Sequence, residues 1–395
     1  MDWILLSHLK LPPSPKDDLK TTISIDMLDH YVRHVSRLCA LLLLNTSLSL
    51  ASPQQPLASS RSCPSLPDKV NTTYRRGDDN TPLAPSPLPP PHSLRDGPAI
   101  IRRLLALPPS ASLRSIRNVT LQGDTFEPEG MVLLGPSRLV VSSAEYVTPT
   151  DKYAAGEWRN GTDRTPGAGF GHLQVFDLSD DGAMLADASI SAAGAWEYHN
   201  GGIDYDGTRI VGVLGQRRPG STGFVYAAEL ESLAVEGLVH FTGDHMGAVV
   251  VDAERERVLG MNWGARKGYA FGIGDRCEEK GAADVVVVEN KSLFVDYQDC
   301  KFLGRVEGEK TTEDGLMLCS GVKTLGGRER YVLGGLALVS VESMDVVWEM
   351  PVTMESARGT RVTMNPFDVA LVEDGLRVFW LPDQHESVLY EYDLA

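Results

Sequence analysis

The chain has 395 residues, 42% of them apolar, enough to bury a substantial core. Its formal net charge of −16 argues against a nucleic-acid partner and against broad contact with an anionic membrane, and is the balance of a soluble protein.

Residues 1 to about 26 are unlike anything that follows. From Met27, a basic stretch holding His30, Arg33, His34 and Arg37 precedes an apolar run over 38–44, and 48–52 ends in small residues. This is the layout of a secretory signal peptide. Either Met27 is the start and 27–52 is the signal, or 1–52 is one longer leader. An uncleaved anchor is a third reading, although the run is short and interrupted for a membrane span. Residues 53–110 are rich in Pro and Ser, as in 85–91, and read as a disordered linker that cannot bury enough apolar surface to fold alone. A short helix is expected over 98–107, with Pro98 suited to its first turn.

The compact domain is expected over 111–395. Five units there share one pattern: a polar residue, a small residue, an apolar strand, a turn and a second apolar strand. The strand pairs read as 128–134 with 138–141, 198–205 with 208–213, 244–250 with 257–259, 319–322 with 330–333, and 365–372 with 376–379. Asp206-Gly207 is a tight-turn signal of the kind that joins such strands. Third strands follow at 171–177, 223–227, 268–271, 335–339 and 387–392, and most units have a fourth. Repeated four-stranded units are the blades of a β-propeller. The last unit has only three strands, and 114–121 upstream of the first can supply the fourth, which closes the ring and removes a free edge. The expectation is all-β with five blades. Six would follow if 292–303 hid a degenerate blade.

Four sequons, at Asn71, Asn118, Asn160 and Asn290, fit passage through the secretory pathway. Outside the leader the cysteines are Cys63, Cys277, Cys300 and Cys319, an even number. Cys300 with Cys319 is the expected disulfide, with Cys277 an alternative partner for either. None of the spacings is that of a zinc site.

The first strand of each propeller blade lines the central channel. Polar residues at the openings of those strands should therefore converge: Glu129, His199 with Asn200, Asp244 with His245, Ser320 and Asn365. Convergent polar groups in a concave site form the default active-site hypothesis, although Asp, Asn and His also hydrogen-bond turns. Glu145, His172, Trp263, Arg266, Tyr297 and Gln298 join the candidates as ligand-binding residues, His172 reading first as a structural histidine. The 147–169 loop is long enough to cover the channel mouth. No dinucleotide fingerprint, phosphate loop, His-Glu-x-x-His motif, nucleophile elbow or haem motif occurs. Redox and ATP-driven chemistry are thereby disfavoured, and no cofactor is expected. Acid–base work, metal-assisted work and pure binding remain. For the metal case Glu129, Asn200 and Asp204 would be oxygen donors, and a metal is not expected.

The motifs Pro128-Glu129-Gly130, Gly169-Phe170-Gly171-His172-Leu173, the run 198–207, Gln216-Arg217-Arg218-Pro219, Asp244-His245-Met246-Gly247, Asn262-Trp263-Gly264, the run 295–300, the run 317–322 and Gly334-Gly335-Leu336-Ala337-Leu338 occur here in order. Over about 112–395 the chain resembles the fungal core trichothecene cluster protein 14 family, together with similar secreted-type bacterial proteins. The resemblance implies a fungal secretory-pathway or extracellular protein tied to trichothecene sesquiterpenoid mycotoxins and to virulence. It carries over no catalytic residues. The resulting expectation is a cofactor-independent cyclase or isomerase acting on an oxygenated sesquiterpenoid, with His199 or His245 as acid and Glu129 or Asp204 as base. The alternatives are a secreted propeller that binds a toxin or a host molecule, and a lactonase-like metal hydrolase. A monomer without stable membrane insertion is expected.

Overall fold

Successive side chains of a strand face opposite ways, so a strand apolar at every position must be covered on both faces. The inner strands of this chain are of that kind, and stacked blades supply both covers. The computed structural model describes residues 66–67, 70–74, 97–273, 277–306, 314–326, 330–373 and 375–395. The described chain opens with β1 (Asn71–Tyr74), α1 (Gly97–Leu105) and β2 (Leu113–Thr120). Blade one is β3 (Glu127–Leu134), β4 (Arg138–Thr148), β5 (Ala168–Asp177) and β6 (Ala183–Ser189). Blade two is β7 (His199–Tyr205), β8 (Arg209–Gly215), β9 (Gly223–Glu229) and β10 (Val235–Phe241). Then come β11 (Ala248–Asp252), β12 (Arg257–Met261), β13 (Lys267–Gly272), β14 (Glu278–Lys280) and β15 (Val286–Glu289). Blade four is β16 (Asp296–Gly304), β17 (Leu316–Leu325), β18 (Tyr331–Ser340) and β19 (Val346–Val352). β20 (Phe367–Val372), β21 (Gly375–Trp380) and β22 (Val388–Leu394) end the chain.

The sheets, from the inside out, are β3-β4-β5-β6-β1, β7-β8-β9-β10-β14, β11-β12-β13-β15, β16-β17-β18-β19 and β20-β21-β22-β2. The protein is a five-bladed β-propeller. β2 completes blade five by antiparallel pairing with β22, from Leu113 opposite Leu394 to Thr120 opposite Val388. The expected closure of the ring is therefore present. Each blade interface holds its own apolar cluster, and alternation along a strand divides its side chains between two of them. Val132, Leu134 and Val140 pack toward blade two, with Ile203 and Phe224. Met131, Leu133, Leu139 and Val141 pack toward blade five, with Phe379 and Leu389.

Blade four differs from expectation. Its innermost strand is β16, within the stretch that suggested a hidden sixth blade, and 319–322 belongs to the second strand, β17. The misreading has a physical origin. β16 carries Asp299 and Lys301, and a strand with buried charge does not look like a core strand. Ser320 thereby leaves the channel lining, and its Oγ accepts the Trp380 indole N–H at 3.1 Å. Cys300 and Cys319 face one another across β16 and β17 as the expected disulfide, and Cys277 is also disulfide-bonded.

The stretch expected as a disordered linker contributes two elements. β1 pairs with β6 as an added strand of blade one. α1, close to the expected helix, buries Ile100, Ile101 and Leu104 against Leu303, Leu316 and Phe367, between blades four and five. At roughly 1.5–3 kcal/mol for each fully buried large aliphatic, this packing outweighs the weak intrinsic stability of so short a helix. The leader, residues 1–52, lies outside the described residues. Among the described residues no helix is long and apolar enough to cross a membrane.

At the axis the inner strands approach closely. Cβ atoms added at Gly201 and Gly202 would lie 2.2 Å from the Gly247 carbonyl oxygen and 2.9 Å from the Ala248 Cβ, so the paired glycines are a steric requirement. Deeper in the channel, buried charges join the blades. Lys301 Nζ donates to both Asp299 oxygens at 2.7 Å and to the Ile203 carbonyl at 2.6 Å. Asp299 accepts the Met131 and Phe367 amides at 3.4 and 3.2 Å. Asp204 accepts those of Val251 and Phe302, both at 3.1 Å, and Asp368 accepts that of Leu133 at 2.8 Å. Blade four is thus tied to blades one, two and five, and blade two to blades three and four. Asp204, expected in catalysis, is a structural bridge.

Removing one member of a buried ion pair strands the other charge, which costs about 3–5 kcal/mol. Lys301→Met should lower the unfolding free energy by about that much, read from urea titration. Adding Asp299→Asn should recover part of the loss, because the stranded carboxylate is gone. A loss below about 1 kcal/mol in the single variant would show that the pair does not hold the ring.

Candidate active site in the channel mouth

Above this plug the channel opens into a cavity of about 420 Å³. One wall comes from the openings of β3 and β7 and from the loop after β8. Glu127 and Glu129, two apart at the start of β3, enter beside a bulge between Pro128 and Gly130. His199 opens β7, and its Nε2 lies 3.2 Å from Glu129 Oε1. Arg217 Nη2 donates to Glu127 Oε1 at 2.7 Å, and Gln384 Nε2 donates to the same oxygen at 2.7 Å. The Arg217 guanidinium lies 4.4 Å above the Tyr146 ring. His245 donates Nδ1–H to the Gln216 carbonyl at 2.6 Å, which leaves Nε2 as the unprotonated nitrogen. Its ring lies 5.8 Å from that of His199 and 5.2 Å from that of Trp263. Trp263, Tyr297, Gln298, Lys323 and Asn365 line the other side.

Burial governs the protonation states. It pushes Glu129 up to about 7, against the lowering effect of Arg217. Burial, then the Glu129 charge, raises Glu127 also, while Arg217 opposes the shift. Burial pulls His199 down to about 4 and His245 to about 3. At neutral pH both imidazoles are therefore uncharged. Two carboxyl groups this close resist double ionisation, so one holds a proton. Arg217 and Gln384 both donate to Glu127 and favour its carboxylate, which places the shared proton on Glu129. Donor atoms of Glu127, Glu129 and His199 all lie within 4.8 Å of one another, a spacing that a divalent cation could bridge in place of that proton.

The structure brings Glu129, His199, His245, Trp263, Tyr297, Gln298 and Asn365 to the cavity. It places the other candidates elsewhere. Asn200 is buried between the His172 carbonyl, to which its Nδ2 donates at 2.7 Å, and the Tyr226 hydroxyl, which it accepts at 2.7 Å. The expected Glu129, Asn200 and Asp204 cation set is therefore not assembled. His172 sits between Asp187 at 2.9 Å and Glu145 at 3.3 Å, stacked on Phe126. Burial opposes its charge, but Asp187 and then Glu145 outweigh burial and raise its pKa. It is a structural clamp within blade one. Arg266 braces the turn before blade four, donating to the Gly264, Ser292 and Val295 carbonyls. The Asn290 sequon is closed to glycosylation in the fold, because the side chain is buried and donates to the Ala265 carbonyl at 3.0 Å. Asn71, Asn118 and Asn160 are exposed.

Sequence reasoning passed over Glu127, Arg217 and Gln384. Glu127 was legible from its spacing to Glu129 on one strand face. Arg217 and Gln384 sit on loops far away in sequence and carried no local signal of a role. The 147–169 loop does reach the cavity: Arg164 lies 4.6 Å above the Trp263 ring. A wider cleft of about 760 Å³ lies at blade five and its flanking loops, past Asp124, Arg358 and His385. Its ion pairs, Arg358 with Glu386 and His385 with Asp124, are exposed on the surface, and its one buried carboxylate, Asp383, is taken up by the Ser356 hydroxyl, so the channel cavity is the stronger candidate.

Fold and site together define a propeller with a buried carboxyl–imidazole cluster at its channel mouth. Residues 98–395 match the model of a family of unknown function, DUF6454, and the chain belongs to that family. No curated protein sequence matches it. Among solved structures it is similar to a hypothetical protein from Leishmania major, at 10% identity and a TM-score of 0.42, over 71% of this chain and 90% of that one. It is also similar to a luciferin-regenerating enzyme, at 10% identity and a TM-score of 0.38, over 72% and 95%. Likeness at that level carries no argument about activity.

The buried imidazoles make an acid-sensitive contribution to stability. Unfolding restores their ordinary pKa of 6.5, so the unfolded chain takes up protons that the folded one refuses. Their contribution to stability is fully present above about 6.5 and is lost as the pH drops toward 4. Glu129, raised from 4.5 to about 7, and Asp299, raised from 3.8 to about 7, act in the opposite direction as the pH falls below 7, as does the raised Glu127, so the imidazole contribution is read as a difference between variant and wild type. Between pH 7 and 5 each histidine should cost about 1–2 kcal/mol. In urea unfolding at the two pH values, His199→Gln/His245→Gln should change the pH 7-to-5 stability difference by about 2–4 kcal/mol relative to the wild type, in favour of the acid side. An unchanged slope would place the acid sensitivity elsewhere.

Proposed function

We propose that the cavity is the active site of a cofactor-independent dehydrative cyclase or isomerase acting on an oxygenated sesquiterpenoid. The observation that carries the chemistry is the unequal carboxyl pair: Glu129 protonated beside His199, Glu127 ionised beside Arg217. The substrate class follows the resemblance to the trichothecene cluster protein 14 family. A cavity of about 420 Å³ suits a fifteen-carbon skeleton and few larger ligands.

In this reading Glu129 donates its proton to a substrate hydroxyl, the C–O bond breaks and water leaves. A second hydroxyl of the same molecule attacks the electron-deficient carbon, its oxygen forming the new C–O bond. Its proton passes to the Glu127 carboxylate and from there back to Glu129. The sum is loss of one water with no change of oxidation state. Holding both hydroxyl-bearing ends in one cup supplies much of the rate. The histidines, which the sequence suggested as acids, are uncharged here and serve as polar walls. The disulfide suits an oxidising compartment, which fits work in the secretory pathway or outside the cell.

A divalent cation held by Glu127, Glu129 and His199 supports a second reading, a metal-assisted hydrolase, motivated by the 4.8 Å clustering of their donor atoms. One assay separates the readings. Hydroxylated sesquiterpenoid precursors are incubated with the protein and followed by mass spectrometry and NMR. The proposal expects a cyclised product lighter by one water, made equally well after chelation. Glu129→Gln should slow turnover by about 10²-fold or more, and the rate should fall above pH 7, where Glu129 loses its proton. Activity lost to chelation and restored by a divalent ion would establish the metal reading. Saturable binding without product would leave a carrier or host-binding propeller.

A further inference from the structure

We propose that the face surrounding the channel mouth docks on the surface of a zwitterionic lipid bilayer. The motivating observation is where the exposed large apolar residues lie. The described chain has ten, and six of them, Val147, Trp158, Trp196, Trp263, Leu325 and Tyr331, surround the mouth. The topology puts them on one face. The starts of the innermost strands and the ends of the second strands share one end of the ring, the end where Glu129 and His199 open into the cavity. Val147 lies at the end of β4 and Leu325 at the end of β17, directly opposite Tyr331. Thr324, the residue before Leu325, lines the cavity, as does Trp263 after β12. Trp196 leads into His199, and Arg218, next to the lining residue Arg217, lies 6.0 Å above its ring. Trp158 sits in the loop whose Arg164 covers Trp263.

Trp158 and Trp196 are 60% and 61% exposed. Tryptophan side chains held out in water cost free energy unless something covers them, and a membrane interface suits an amphipathic indole. The arrangement is a broken ring around an opening and not a continuous patch, which suits a surface that can pass an apolar molecule inward. Arg159, above Tyr153 and paired with Glu157, and Arg218, above Trp196, place amphipathic side chains among the aromatics, with no net positive charge from the Arg159–Glu157 pair, as suits a surface neutral on balance. The net charge of −16 disfavours an anionic surface, so the fit is to uncharged-on-balance headgroups. This contact is peripheral and needs no spanning helix.

The test reads partition and not turnover, so its failure and that of the proposed chemistry are separable. The full chain is mixed with sucrose-loaded phosphatidylcholine vesicles and sedimented, and tryptophan fluorescence is followed with brominated phosphatidylcholine. The expected result is partition of the wild type with quenching of its emission. Trp158→Ala/Trp196→Ala should partition at least about tenfold less. Both side chains are largely in water, so the variant should unfold at the wild-type temperature. Val286→Ser/Val287→Ser, at the exposed edge of blade three, should partition like the wild type. No partition by the wild type, equal partition by the mouth variant, or an equal loss in the blade-three variant would each overturn the proposal.

Discussion

The ring depends on the buried Asp299–Lys301 pair at its axis. A propeller's innermost strands converge where there is too little room for large side chains and too many backbone groups facing inward. Here glycines solve the first problem and carboxylates the second. Asp299, Asp204 and Asp368 each accept backbone amides from other blades, adjacent or across the axis. Buried carboxylates need compensation, and within this layer Lys301 supplies it, fully enclosed and bonded to Asp299 and to a blade-two carbonyl. Apolar packing at the five interfaces supplies most of the cohesion, but it is non-directional. The charged layer is directional, and it specifies which strand of blade four faces the axis.

The same burial that makes this layer costly makes the layer above it reactive. The channel mouth is dry enough to neutralise two histidines and to hold a proton on a carboxyl group near pH 7. It is open enough to admit a ligand. The two layers differ in how their charges are matched. In the plug backbone amides satisfy the carboxylates, and Lys301 adds a cation at Asp299. In the mouth two carboxyl groups share one guanidinium, and Arg217 donates to only one of them. That imbalance separates an acid from a base within a few ångströms, which is how two identical side chains acquire different roles.

The N-terminal elements show the limits of composition as a guide. Residues 53–110 have the composition of a linker, yet β1 and α1 both join the propeller. Each does so through a short local match to a surface the propeller presents: the free edge of β6 for β1, and an apolar hollow beside Leu303 for α1. Such matches involve a few residues, so a window wide enough to measure composition averages them away.

By itself the sequence determined the class of fold and the closing strand, and it favoured five blades over six and Cys300–Cys319 over a pairing with Cys277. These depend on local alternation, turn residues and repetition, which act over a few positions. It also placed Glu129, His199 and His245 at strand openings, where a propeller brings them together. Only the tertiary structure decided which polar residues face the cavity and which hold the frame. Asp204 and His199 sit five residues apart on one strand, yet one is a bridge between blades and the other a wall of the site. The difference lies in what stands opposite each of them: backbone amides of blades three and four for Asp204, a second carboxyl-bearing strand and a cavity for His199. Those neighbours come from distant parts of the chain, and so do Arg217 and Gln384, which fix the charge on Glu127. Local pattern encodes strands, whereas the environment of a charge is set by groups that folding alone brings near.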